Sequence, residues 1–250
     1  MRFVIELAYM GTEYHGWQKQ ENAHSVQSEI EQKLSLILGE NTDILGCGRT
    51  DTGVHAMQFF AHFDTHKNID CSLLQYKLNQ ILPFDISIYK IIRVADDFNV
   101  RFDAISRTYE YHISRIRNPF KTDTAWFQYG NLDIDKMNAA ACILLNHKNF
   151  ECFSKVHTQV NNFFCDITFA EWKLNGTTLV FTIKANRYLR NMVRAIVGTL
   201  IDIGRNKLTI EDFRKILDSK NRSEAGQSVP AKGLFLVQIE YPLNSLNPDL

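Results

Sequence analysis

The feature that most narrows the fold is a hydrophobic period that switches between strand and helix spacing from Phe3 to Val94. Phe3, Ile5, Leu7 and Tyr9 alternate as one face of a strand. Val26, Ile30 and Leu34 recur at helical spacing, with Ser25 as N-cap and Gly39 beyond the end. Ile44 to Cys47 and Met57 to Phe63 are strand candidates, and after Ser72 the positions Leu74, Leu78 and Ile81 predict a helix that Pro83 stops. Ile86, Ile88, Lys90, Ile92 and Val94 then alternate again. A β-α-β-β-α-β order of this kind is the ferredoxin-like arrangement.

The remainder repeats the theme. Arg107 to Ser114 is strand-like, Ile134 to Leu145 is helical, and Phe164 to Leu174 with Thr177 to Ala185 form a hairpin around Asn175-Gly176. Asn191 to Ile203 is a further helix. Thr209 caps another, with Phe213, Ile216 and Leu217 inward, and Leu234 to Tyr241 closes as an apolar strand. The expectation is an α+β chain of two ferredoxin-like α/β halves with mostly antiparallel sheets. Residues 1–104 form one half and 105–250 the other, joined near Asp103 to Ser106, and a cleft between halves is a favoured place for a ligand.

Composition decides which partners to consider. A hydrophobic share of 45% over 250 residues is enough for a substantial core. No apolar run reaches the roughly eighteen residues of a membrane span, and the N-terminus runs straight into a strand pattern, so a cytoplasmic protein is expected. The scattered cysteines Cys47, Cys71, Cys142, Cys152 and Cys165 lack a C-x-x-C pair and read as buried free thiols, not as a zinc site. His62 and His66 have helical metal spacing but lie in strand-like sequence. The 28 basic residues balance 28 acidic ones, yet Lys184, Arg187, Arg190, Arg194, Arg205 and Lys207 face only Asp202 between Lys184 and Lys207. Such a local surplus suits phosphate binding.

The sharpest local motif is Gly46-Cys47-Gly48-Arg49-Thr50-Asp51-Thr52-Gly53-Val54-His55-Ala56. Glycines around a charged Arg-Thr-Asp core mean a tightly bent backbone that another molecule can approach closely. Spacing alone leaves two readings: an Asx or ST turn with Gly53 at positive φ, or a catalytic carboxylate at the tip of the bend.

Gly48 to Ala56 resembles the signature loop of the tRNA pseudouridine synthase A family. The resemblance extends to Tyr9-Met10-Gly11-Thr12-Glu13-Tyr14-His15-Gly16-Trp17-Gln18-Lys19-Gln20, to Arg101 through Tyr111, to Asn191 through Gly198 and to Pro230-Ala231-Lys232-Gly233-Leu234. It implies Asp51 as the essential aspartate, Tyr109 as the active-site tyrosine and Arg194 as the cation that pairs with Asp51. It also implies two α/β domains around a basic cleft, a homodimer, and tRNA as the partner, modified in its anticodon stem-loop. The sequence departs from the family pattern at Thr52, at Asn99-Val100 and at Asn191, none of which is a proposed catalytic group.

The implied chemistry breaks the bond from ribose to uracil N1 and remakes it to C5, with no net redox change, so neither cofactor nor metal is called for. A carboxylate serves as nucleophile or base, at the ring or at the sugar. Because stacking shields the ring, the target nucleotide is expected to be extruded, with Tyr109 as a stacking platform. Arg187, Arg190 and Arg194 follow a three-then-four spacing that predicts one helical face, read as a solvated stripe or as an RNA track with Arg194 turned inward. Arg49 and Arg101 join Arg187 and Arg190 as RNA-binding candidates, with an internal salt bridge the alternative for Arg49. Tyr14, His15 and Trp17 are read either as a solvent-facing RNA loop or as a lid over Asp51, and Tyr111 as a core aromatic. The rival readings are a non-catalytic RNA-binding protein that retains the cleft, a pseudouridine synthase acting at other tRNA positions, and a metal-dependent nuclease. The nuclease would need clustered carboxylates, which the Asp51 motif lacks.

Overall fold

Strand and helix ends fall where capping chemistry allows. The computed structural model describes residues 1–155 and 162–246. The chain forms two compact units, Met1–Ile105 together with the segment from Phe235, and Ser106–Leu234. That C-terminal segment, assigned from sequence to the second half, thus belongs with the first.

In the first unit the elements are β1 (Arg2–Tyr9), α1 (Val26–Leu38), β2 (Leu45–Gly46), β3 (His55–Asp64), α2 (Cys71–Ile81) and β4 (Ile86–Val94). β1 pairs antiparallel with β3 and with β4, and β2 pairs antiparallel with β3. The spatial order β4-β1-β3-β2 is the split β-α-β arrangement expected of a ferredoxin-like unit. Helix α1 starts in a capping box between Ser25 and Ser28 and ends at Gly39 with φ 65°, and it buries Val26, Ile30, Leu34 and Leu38. The N-cap of α2 is Asp70, whose carboxylate accepts from the Leu73 amide at 3.0 Å, so the helix begins before Ser72. In β4 a register shift falls opposite Glu6 and Leu7, so Tyr89 is an extra residue and Lys90 is exposed despite sharing parity with Ile86 and Ile88.

The returning strand β9 (Leu234–Glu240) pairs parallel with the start of β3, His55 opposite Phe235 and Ala56 opposite Leu236. Just beyond β9, Tyr241 fastens the chain to its own unit: its hydroxyl donates to the Val100 carbonyl at 2.6 Å and its ring meets Phe60 edge-on at 5.2 Å.

The second unit begins with β5 (Ser106–Ser114), the short β6 (Trp126–Phe127), α3 (Ile134–Leu144), β7 (Ile167–Asn175), β8 (Thr178–Ala185) and α4 (Met192–Gly204). β8 lies antiparallel between β5 and β7, and β6 adds parallel to β5. Leaving β6 aside, this repeats the first unit's order through its second helix. Asn175 pairs with Thr178, so Gly176 and Thr177 occupy the hairpin turn and the turn sits one residue later than Asn175-Gly176. Gly176 takes φ 61°, the role glycine plays at the first position of a type II′ turn. Helix α5 (Ile210–Ser219) follows, capped by Thr209 and Asp212, with Phe213, Ile216 and Leu217 buried.

Of the cysteines, Cys47, Cys152 and Cys165 are buried as expected, whereas Cys71 is half-buried and Cys142 exposed. Burial pushes the Cys152 thiol up to about 12 and the Cys165 thiol to about 11, which keeps both protonated at neutral pH. Among the described residues no helix is long and apolar enough to cross a membrane.

The open end of the first unit is tied by Arg2, which holds Asp64 through Nε at 2.9 Å and Nη2 at 2.8 Å and donates through Nη1 to the Phe98 carbonyl at 2.8 Å. These bonds hold the Asp64 carboxyl below the usual carboxylate range. The stabilisation is therefore complete above about pH 4, the ordinary value, and fades as pH falls through the depressed one. Asp64→Asn is expected to cost about 0.5–1 kcal/mol at pH 7, the scale of a solvent-screened pair. In urea unfolding its gap from the parent chain should close at acidic pH; a gap that persists there would assign the effect to packing.

Candidate active site

The Asp51 segment links β2 to β3 and is shaped from within and from behind. Within it, the Val54 amide donates to the Asp51 carbonyl at 3.1 Å and Gly53 takes φ 76°. That is a backbone turn with glycine at its third position, so Gly53 takes the positive φ expected of it. Asp51 itself is half-buried and Arg49 is exposed. Behind the turn lies the segment from Gly11 to Trp17. The Gly53 amide donates to the Tyr14 carbonyl at 3.3 Å, the Trp17 amide to the Thr50 carbonyl at 3.4 Å, and the hydroxyls of Tyr9 and Thr50 are 2.9 Å apart.

Glycine is required in this packing at specific places. A Cβ at Gly16, where φ is 84°, would overlap the Thr50 carbonyl oxygen and lie 3.1 Å from the Asp51 carbonyl carbon; one at Gly11 would overlap the Val54 carbonyl. Gly48, by contrast, has open space around its Cα, so close packing does not explain it. Burial differs from residue to residue along the Tyr14 to Trp17 segment. Tyr14 and Trp17 are buried at 2% and 1% exposure, with Trp17 stacked on Phe59 at 4.0 Å, while His15 faces solvent. The Tyr14 hydroxyl donates to Asp85 at 2.7 Å, and burial together with that carboxylate raises its pKa well above the tyrosine range. His55, fully enclosed, accepts the Gly11 amide on Nδ1 at 2.9 Å, which places its proton on Nε2.

Arg101 lies on the surface of the same unit, its guanidinium 5.5 Å from the centre of the exposed Phe102 ring. The turn beneath it is built by Asn99, whose side-chain oxygen accepts the amides of Arg101 at 3.0 Å and Phe102 at 3.2 Å. Asn99 thereby acquires a structural role at a position where the sequence departs from the family pattern.

In the second unit Tyr109 is half-buried on β5, and Tyr111 and Ile113 on the same face are fully buried. Tyr111 is the core aromatic expected. Its hydroxyl donates to the Pro230 carbonyl at 2.8 Å, and burial raises its phenol pKa against the opposing pull of the nearby Arg194 charge. The predicted arginine face does not form, because α4 begins at Met192: Arg194 lies in its first turn, whereas Arg187 and Arg190 precede it in the loop after β8. The break occurs at Asn191, which adopts φ 67°, a left-handed conformation that ends any continuous helical register.

Arg194 is held by a segment that periodicity could not reveal. Its Nε donates to the Val229 carbonyl at 2.8 Å, and the Val229 amide returns a bond to the Arg194 carbonyl at 3.2 Å. Ser228 receives Asn191 Nδ2 at 2.6 Å and Arg222 Nη2 at 2.9 Å. A Cβ at Gly198 would overlap the Gln227 carbonyl oxygen and one at Gly226 would lie 2.8 Å from Thr199 Cα, so these two glycines let the segment cross α4 at backbone contact. Its signals in the sequence are Gly226, in a polar stretch after the last amphipathic helix, and the flanking motifs that end at Gly198 and begin at Pro230.

A family model described as tRNA pseudouridine synthase matches residues 7–103 and 140–242. The tRNA pseudouridine synthase A of Bacteroides thetaiotaomicron is 49% identical over 244 residues, covering 96% of this chain and 91% of the relative. Those of Parabacteroides distasonis and Francisella tularensis are 46% and 37% identical, each over 242 residues and 96% of this chain, covering 96% and 94% of the respective relatives. The matched stretches take in the Asp51 turn, the Gly11 to Trp17 segment behind it, and α4 with the segment that clamps Arg194. With that coverage and identity, the chain belongs to the tRNA pseudouridine synthase family.

Proposed function

We propose that this chain isomerises uridine to pseudouridine in the anticodon stem-loop of tRNA, with Asp51 as nucleophile or base on an extruded uridine. The observation that carries the reading is the construction around Asp51: a turn whose backbone is gripped from behind by glycines, in a chain of this family. Rigid support is what a reacting carboxylate needs, since small displacements of a catalytic group cost rate steeply.

The remaining roles come from the chemistry. Net isomerisation removes the hydrogen from uracil C5 and leaves one on N1, so a proton acceptor and a proton donor are both needed. Tyr109 stacks on the base and takes part in proton transfer, and Arg194 orients Asp51. The clamp on Val229 supports the assignment of Arg194, because a guanidinium with one donor committed to a fixed carbonyl is pre-oriented. Arg49, Arg101, Arg187 and Arg190 bind RNA. The protein works in the cytoplasm as a homodimer, without metal or redox cofactor.

Release of tritium from tRNA carrying 5-tritiated uridine, measured in EDTA, tests the proposal directly. Strand cleavage instead of release would point to a nuclease, and binding without release to a carrier of RNA. Asp51→Asn is expected to lower the single-turnover rate by about 1,000-fold or more while tRNA affinity stays within about two-fold. A comparable loss of affinity would move Asp51 from chemistry to scaffold. Gly16→Ala, which displaces the turn without touching a charged group, is expected to slow release about 100-fold; a normal rate would show that the support is dispensable. For Arg190→Ala the slope of log affinity against log salt should flatten by about 0.7–0.9, the value of one lost phosphate contact. An unchanged slope would place Arg190 off the RNA track.

A further inference from the structure

Tyr188 has no part in the proposed reaction, yet its surroundings single it out. It follows β8, between Arg187 and Arg190, and its side chain turns back over the pairing of β8 with β5. Its hydroxyl donates to the Ile183 carbonyl at 2.9 Å, with the Arg107 carbonyl at 3.3 Å as a second acceptor. Ile183 is the register partner of Tyr109, and Arg107 lies two residues before Tyr109 on β5. The phenol therefore bridges both strands at the level of Tyr109. The two rings meet edge to face, with centroids 5.0 Å apart and planes at 86°.

We propose that Tyr188 is a positioning residue for Tyr109: its perpendicular ring sets the plane in which the Tyr109 ring meets the target base. The inference rests on the reading of Tyr109 as the residue that stacks on uridine. A tyrosine ring on a strand keeps freedom about its outer torsion unless a neighbour restricts it, because that torsion is broad. A perpendicular ring at this separation supplies the restriction, since edge-to-face geometry is the favoured arrangement of two aromatic quadrupoles.

Tyr188 is itself immobilised. Its hydroxyl is committed to backbone carbonyls, and burial keeps the phenol neutral well above the tyrosine range, so the donor persists across physiological pH. The loop around it is fastened at both ends. The Asn186 amide donates to the Asp166 carbonyl at 3.1 Å, Arg107 Nη1 donates to the Asn186 carbonyl at 2.8 Å, and the Lys155 amide donates to the Arg190 carbonyl at 3.1 Å. The same short loop thus carries two arginines proposed to grip phosphate and the aromatic ring that orients Tyr109.

The test compares single-turnover tritium release and tRNA affinity for Tyr188→Leu, Tyr188→Phe and each change in a Tyr109→Leu background. Tyr188→Leu is expected to slow release about ten-fold or more with affinity within about two-fold, the split produced by misplacing a reacting group. Tyr188→Phe keeps the ring and should recover the parent rate to within about three-fold. In the Tyr109→Leu background neither change should slow release further, because the ring to be oriented is gone. Phe as slow as Leu, an unaffected Leu variant, or an additive loss in the Tyr109→Leu background would each overturn the proposal. If Tyr188→Leu does not fold, Tyr188→Met fills the space with a flexible apolar chain and is judged by the same outcomes. A Tyr109→Leu variant that reacts normally would instead refute the role of Tyr109, which separates that failure from failure of the positioning role.

Discussion

A side chain at position 16 would begin inside the Thr50 carbonyl oxygen, and one at position 11 inside that of Val54. The Asp51 turn therefore exists in its observed shape because two backbones meet there with nothing between them. Most of what surrounds it serves that contact. Trp17 and Tyr14 are buried as wedges, Asp85 takes the Tyr14 hydroxyl, and His55 accepts the Gly11 amide. The bonds are mostly between main-chain groups or enclosed neutral ones, which gain strength where water is excluded. The backbone that carries Asp51 is thereby held from behind.

Arg194 is mounted by different means. Its guanidinium is tied to the Val229 carbonyl, and the segment that carries Val229 is tied by Ser228 to Asn191 and Arg222. A charged donor aimed at a carbonyl forms one of the stronger hydrogen bonds in a protein. The net charge of the whole chain says nothing of this, because acids and bases cancel in the sum while basic groups gather between Lys184 and Lys207.

The alternating strands and amphipathic helices of the first unit were legible because burial on one face leaves a periodic trace. Ser25, Gly39 and Thr209 were legible because capping residues are few in kind. Other features left no such trace. The bulge at Tyr89 inserts one residue and resets the alternation, so Lys90 read as inward. A left-handed Asn191 breaks helical spacing invisibly, so three arginines on different elements read as one stripe. Among the candidate site residues, motif resemblance singled out Asp51, Tyr109 and Arg194, whereas periodicity spoke only to which face a residue occupies. Val229 meets Arg194 through its backbone carbonyl and Tyr188 meets Tyr109 through a perpendicular ring, and neither is marked by residue type or spacing.

The pairing of Phe235 and Leu236 with His55 and Ala56 joins the beginning of the chain to its end. Ribosomes add about 5–20 residues per second, so the start of β3 waits on the order of ten seconds or longer for the strand that covers it. During that interval the whole of Ser106–Leu234 emerges, while the older unit still shows an open sheet edge. The strand that finishes the older sheet is thus the last of the described strands that the ribosome delivers.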